Sequence, residues 1–163
     1  MSELSTSKTA VLVKPDGLQR GLIGEIISRF ERKGLKLSGI KMLNMTDEIL
    51  DQWYAEHKEK GFFSELKSFM SSLPIVAMVW EGYDAVPVVR KLVGTTLGRE
   101  AEAGSIRGDY GMSQQFNLIH ASANKEDALR EIALVFEENE LFDYTGVRDC
   151  VIYTDVELDE IKN

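Results

Sequence analysis

The sequence predicts an α+β fold: a ferredoxin-like βαββαβ sandwich, with a four-stranded, mostly antiparallel sheet and helices packed on one face. Three observations predict it. Four short apolar runs, each bounded by turn residues, read as strands. Stretches with helical spacing lie between the first and second run and between the third and fourth. With further helices treated as insertions, the order collapses to β-α-β followed by β-α-β. A length of 163 residues suits one domain, 1–163, built on one core.

The elements follow in order. Thr9 to Lys14 reads as a short buried strand, ended by the turn Lys14-Pro15-Asp16-Gly17. Ile23, Ile26, Ile27 and Phe30 mark an amphipathic helix that Gly34 stops. Leu35 to Met45 is the second strand, alternating at Leu35, Leu37 and Gly39. Thr46 caps a helix whose apolar face is Leu50, Trp53, Tyr54 and His57. Phe62 to Ser71 is another helix. Pro74 opens the third strand, Ile75 to Trp80, which is nearly continuous in apolar residues and therefore buried on both faces. Asp84 to Val93 is helical, with Ala85, Val88, Val89 and Leu92 inward and Pro87 in the first turn. Gly94 to Gln115 lacks apolar periodicity and reads as a long functional loop. Phe116 to Ser122 is the fourth strand. Asn124 caps a last helix, with Asp127 as its capping-box acid and Leu129, Ile132, Ala133 and Phe136 lining it. Val151-Ile152-Tyr153 is one more apolar piece before an acidic tail, 155–163.

Charge is unevenly placed. The net charge is −8, and nine acids against two bases fall between Glu137 and Asn163. The remainder is close to neutral. Such a surface argues against a nucleic-acid backbone as the main partner, which needs a basic face. A mononucleotide needs only a few converging cations and stays open. No apolar run is long enough for a bilayer, and Met1 to Lys8 lacks an apolar signal core, so a cytoplasmic protein is expected. The single cysteine, Cys150, cannot form an internal disulfide or a multi-thiolate metal site.

Few residues are placed for chemistry. Of two histidines, His57 lies on an apolar stripe and reads as packed. His120 leaves the fourth strand among small residues, Ala121, Ser122 and Ala123, which gives room for a ligand. Spacing alone fits a ligand-facing and a packed core histidine equally well. Arg107 lies between glycine-broken segments, with Arg90 on the preceding helix and Thr96 beyond its end. Guanidinium forks suit phosphate oxygens, although any single arginine is more often a solvated surface charge. Lys14 ends a buried strand at the sheet edge. The Gly-x-x-x-x-Gly-Lys-Ser/Thr loop, the dinucleotide fingerprint and the protein-kinase signature are all absent, and no side chains stand at metal-ligand spacing.

Three segments resemble nucleoside diphosphate kinases: Thr9 through Lys14-Pro-Asp-Gly17 to Gly34, Ile106-Arg-Gly-Asp109, and Asn117-Leu-Ile-His-Ala-Ser122. The likeness runs from about Thr9 to Tyr153, and the last segment matches the family's active-site pattern. The resemblance implies transfer of the γ-phosphate of a nucleoside triphosphate to a nucleoside diphosphate, in ping-pong fashion through a phosphohistidine at His120. It implies that Glu131 orients the imidazole, with Tyr54 and Ser122 in support. Lys14, Arg90, Thr96 and Arg107 would hold the phosphates. Asn117 would contact the sugar, Phe62 would stack on the base, and Leu66 would flank it. From the sequence pattern alone, Phe62 and Leu66 read as a core stripe, and Glu131 fits an ordinary helix-surface acid as well.

The resemblance further implies Mg2+ carried by the nucleotide phosphates, with no metal held by the protein alone. It implies di- and triphosphate partners such as ATP and GTP, and a homo-oligomer, as hexamer, tetramer or dimer. The chain departs from the family at Ala121, Ala123 and Gln114. Gly98 and Ala103 replace the usual prolines of the long loop, which predicts added flexibility there. A phosphohistidine relay to a protein partner and a ligand-binding regulatory module are the competing readings. Lys14, Arg90, Arg107, Asn117 and His120, all at family spacing, favour the kinase.

Overall fold

The computed structural model describes residues 6–147 and 149–161. Strand β1 spans Thr6–Val13, longer at its start than Thr9. The predicted turn after it is wound into a short helix, α1, Pro15–Gln19, with Pro15 opening the first turn where a missing N–H costs nothing. Helix α2, Ile23–Lys33, ends on Gly34 in the left-handed conformation. Strand β2, Lys36–Leu43, is bulged between Leu37 and Gly39, which breaks the expected alternation and buries Ser38. Helix α3, Asp47–Trp53, is capped by Thr46, whose hydroxyl accepts from Ile49 N. Helix α4 is Phe63–Met70, strand β3 is Ile75–Tyr83, and helix α5 is Ala85–Val93.

The long stretch before the last strand is not bare loop. It holds a 3-10 turn, Gly98–Glu100, and a helix, α6, Ile106–Tyr110. Ser105 caps α6 by accepting from Gly108 N, and Ile106 is fully buried. Five residues are too few to show a helical period, so the pattern missed it. A Cβ at Gly98 would lie 2.5 Å from the carbonyl carbon of Gly111, so the two backbones meet where only glycine leaves room. Arg29 on α2 ties this segment down through Asp109 at 2.6 Å and the Gly104 carbonyl at 3.0 Å.

Strand β4 is only Ile119–Ala121, not Phe116 to Ser122. Leu118 has a φ of 75°, which no strand residue adopts, and Phe116 is exposed. Helix α7, Lys125–Val135, follows its Asn124 cap as expected. Its buried face is Ala128, Glu131, Ile132 and Val135; Leu129 and Ala133 point outward. Hydrophobicity misplaced the face because a carboxylate occupies an inward position. On α5, similarly, Val86 and Val93 are buried while Val88 and Leu92 are only half-buried. Helices α8, Asp149–Ile152, and α9, Asp155–Ile161, take up the final apolar piece and most of the acidic tail. Residues 162–163 of that tail lie outside the described residues.

The sheet order is β2-β3-β1-β4, and every neighbouring pair is antiparallel. This is the ferredoxin-like arrangement. Helices cover both faces rather than one. Val11, Val13, Met78 and Trp80 pack with α2 and α5 on the first face. Ala10, Leu12, Ala77 and Val79 pack with α3, α4 and α7 on the second. The two crossover helices share a face as the fold class requires, and the remaining helices bury the other, as the unbroken apolar character of β3 demands. No helix among the described residues is long and apolar enough to cross a membrane.

Candidate active site

The end of β1, the short β4 and the start of α7 meet at one edge of the sheet. There they wall a cleft of about 900 Å³. Ten of the eleven predicted side chains line it; Ser122 stands behind the wall, fully buried.

His120 lies in the middle of β4, paired with Leu12 on β1, and its side chain is 22% exposed. Its Nε2 is 3.0 Å from both oxygens of Glu131, one helix away on α7. Glu131 is buried and takes a second bond of 2.7 Å from the Ser122 hydroxyl. Ser122 Oγ in turn accepts from Ala10 N, which anchors the series to β1. A buried carboxylate is tolerated because each oxygen is engaged. Trp53, expected on the apolar face of α3, also meets the His120 ring in a T-shaped contact at 5.3 Å between centroids. Tyr54 lines the cleft beside this group, and burial, helped by the Glu131 charge, pushes its phenol above the ordinary range.

The cations converge on the same cleft from three elements. Lys14 Nζ donates 2.7 Å to Asn117 Oδ1. Asn117 is itself fixed, donating to the carbonyls of Thr96 and Gln114. Arg107 donates to the carbonyls of Asn117, Gly94 and Ile119 at 3.3, 3.0 and 2.6 Å. Three bonds leave two of its five N–H donors for a ligand. Burial, with Arg107 beside it, pulls the Lys14 ammonium from 10.5 down to about 8, and Asp16 opposes that pull. Burial and then Arg90 bring Arg107 down to about 10, again against Asp16. Such crowding of buried cations is costly unless an anion enters. Arg90 and Thr96 are exposed at the rim.

At the mouth, Phe62 is 49% exposed, and its ring leans on His57 at 5.7 Å. His57 stacks on Tyr54 at 6.1 Å and receives Lys60 Nζ at Nδ1, 3.0 Å. Leu66 is half-buried one turn after Phe62. An exposed aromatic face above a cationic cleft offers a stacking surface at one end and anion binding at the other. Among the described residues, no three His, Cys, Asp or Glu side chains gather as a metal cage.

The sequence profile described as nucleoside diphosphate kinase matches residues 7–141. The chain belongs to the nucleoside diphosphate kinase family. It is 52% identical to the nucleoside diphosphate kinase of Staphylothermus marinus over 141 residues, covering 86% of this chain and all of that one. It is 55% identical to that of Parabacteroides distasonis over 137 residues, or 84% and 90% of the two chains. Among solved structures, a halophilic nucleoside diphosphate kinase from Halobacterium salinarum in complex with CDP is 48% identical. It superposes with a TM-score of 0.88 over 90% of this chain and 98% of the other. The nucleoside-diphosphate kinase of Borrelia burgdorferi, a transition state mimic with bound vanadate and ADP, is 39% identical with a TM-score of 0.83, over 90% and 96%. Kinase activity on nucleoside diphosphates is the function that goes with this membership.

Proposed function

We propose that this chain moves the γ-phosphoryl group of a nucleoside triphosphate to a nucleoside diphosphate in two half-reactions through phosphohistidine at His120. The observation that carries the reading is the grip of Glu131 on Nε2. With the proton kept on that nitrogen, the lone pair lies on Nδ1, which has no hydrogen-bond partner among the described residues. Nδ1 attacks the γ-phosphorus, the bond from phosphorus to the β,γ-bridging oxygen breaks, and the nucleoside diphosphate leaves with that electron pair. A second nucleoside diphosphate then takes the phosphoryl group back along the same path. One nucleotide site serving both halves gives ping-pong kinetics.

The other roles follow from position. Lys14, Arg90 and Arg107 neutralise phosphate charge where phosphoryl transfer needs it most, with Thr96 adding a hydroxyl. Asn117, held by three partners, and Lys14 contact the sugar. Phe62 stacks on the base and Leu66 flanks it, a contact with little demand on base identity. Tyr54 and Ser122 support His120 and Glu131. Mg2+, which spreads charge over phosphate oxygens when bound, belongs in this reading to the nucleotide rather than to a protein cage. A cytoplasmic homo-oligomer, whether hexamer, tetramer or dimer, completes it. In support of self-association, Ile40 and Met42 stand exposed on β2, one of the two edge strands.

The test is intact mass after brief exposure to MgATP, followed by a different nucleoside diphosphate. One acid-labile phosphoryl group that appears and then passes to the second nucleotide is expected. A protein that takes up no phosphate, or holds it and cannot pass it on, would sink the reading.

A further inference from the structure

Asp16 lies outside the cleft, yet it touches what builds the cleft. Its Oδ2 accepts from Leu118 N at 3.0 Å. Leu118 O accepts from Lys14 N at 2.9 Å. These two bonds clasp the chain just after β1 to the one residue that precedes β4 in a left-handed conformation. Leucine does not favour that conformation, and the fully buried Leu118 has no freedom to leave it once clasped. The fit is close: a Cβ on Gly17 would lie 2.7 Å from Leu118 O. Leu118 separates Asn117, which receives Lys14 Nζ, from Ile119, whose carbonyl receives Arg107. Its backbone turn therefore decides how both cations and His120 stand to one another.

The second oxygen, Oδ1, is buried and has no hydrogen-bond partner among the described residues. Asp16 as a whole is half-buried, and an inaccessible carboxylate oxygen without a hydrogen bond is best matched by opposing charge nearby. Lys14 and Arg107 are both within its electrostatic reach.

We propose that Asp16 is a positioning residue of the phosphate site: it holds Leu118 in its left-handed turn and supplies a half-buried negative charge beside the Lys14 and Arg107 cations. This rests on the kinase reading of the cleft. Asp16 acts through Lys14, Asn117 and Arg107 and meets no substrate itself. The charged groups facing Lys14 are Arg107 from α6 and Asp16 from α1, and Arg90 from α5 faces Arg107. Removing Asp16 takes away the negative charge that offsets the repulsion of Lys14, Arg107 and Arg90.

The test compares the parent protein with Asp16→Asn and Asp16→Glu, using ATP with a second nucleoside diphosphate across pH 6 to 9.5, together with thermal melts. Asparagine keeps an acceptor for Leu118 N and removes the charge. Its kcat/KM is expected to fall by roughly tenfold at pH 7.5, mostly through KM. The parent protein's alkaline limb is expected near pH 8, where Lys14 loses its proton, and in this variant it should move to lower pH. A folded Asp16→Asn with the parent's KM and pH profile overturns the proposal. Should that variant not fold, Asp16→Glu decides. It keeps the charge but displaces Leu118, so the parent's alkaline limb with a lowered kcat/KM supports the proposal, and unchanged kcat/KM overturns it. If the parent protein itself neither binds nor turns over nucleotide, the kinase reading fails instead, and this comparison separates the two.

Discussion

Glu131 places both carboxylate oxygens 3.0 Å from Nε2 of His120, while the Ser122 hydroxyl binds one of them from behind. An amide cannot reproduce this, because it offers one acceptor and turns an N–H toward the ring or toward Ser122. Glu131→Gln should lower kcat by about 10²-fold with little change in KM, since the loss falls on orientation of the nucleophile. Steady-state kinetics with the melting temperature as a folding control check this. An unchanged kcat would mean that the carboxylate only fills space.

His120→Ala should abolish phosphoryl uptake and leave the fold intact. The ring is partly exposed, and its bond to Glu131 and its contact with Trp53 are made by side chains, so its loss leaves the backbone pairing of β4 with β1 in place. Residual transfer at the parent rate, measured by intact mass and coupled assay, would remove the central claim.

Lys14 gives a pH dependence of defined sign. Its folded value is about 8 against 10.5 in the unfolded chain, so between those two pH values the unfolded chain holds a proton that the folded one has lost. Stability of the ligand-free protein should therefore rise with pH across that window, and below it the buried charge costs on the order of 3 kcal/mol. Nucleotide binding should run the other way, weakening as pH passes about 8 and the ammonium is lost. Lys14→Met should raise the melting temperature at pH 7 and nearly eliminate ADP binding. Calorimetry at pH 7 and 9.5 checks both halves, and a destabilised Lys14→Met would reject the account.

Phe62→Ala should weaken nucleotide binding by roughly 5- to 100-fold, the worth of one stacking face at about 1–3 kcal/mol. Purine and pyrimidine diphosphates should suffer alike. Competition binding with four bases reads this directly, and a selective loss for one base would show that Phe62 reads identity.

Ile40→Asp on the outer strand should lower the assembly state, followed by light scattering over a dilution series. A monomer in the parent protein at micromolar concentration would contradict the proposed homo-oligomer.

Much of this molecule was legible from residue order. The spacing of Ile23, Ile26 and Phe30 gave α2, the apolar run Ile75 to Trp80 gave β3, and Thr46 and Asn124 marked their helix starts. These signals are local, since periodicity and capping involve neighbours within one or two turns. Where an element is very short or a polar residue faces inward, local signals fail. α6 spans five residues, β4 three, and the inward face of α7 carries Glu131.

Sequence by itself determined the succession of strands and helices, the fold class it implies and, through motif spacing, the family. The family resemblance already implied Glu131 for His120; only the tertiary structure decided that both its oxygens reach Nε2, that Trp53 stands against the imidazole, and that Asp16 binds Leu118 across 102 residues of chain. Those pairings depend on β1 and β4 lying side by side and on α7 folding back over them. A carboxylate's partner is fixed by distance in space, which residue spacing along the chain does not encode.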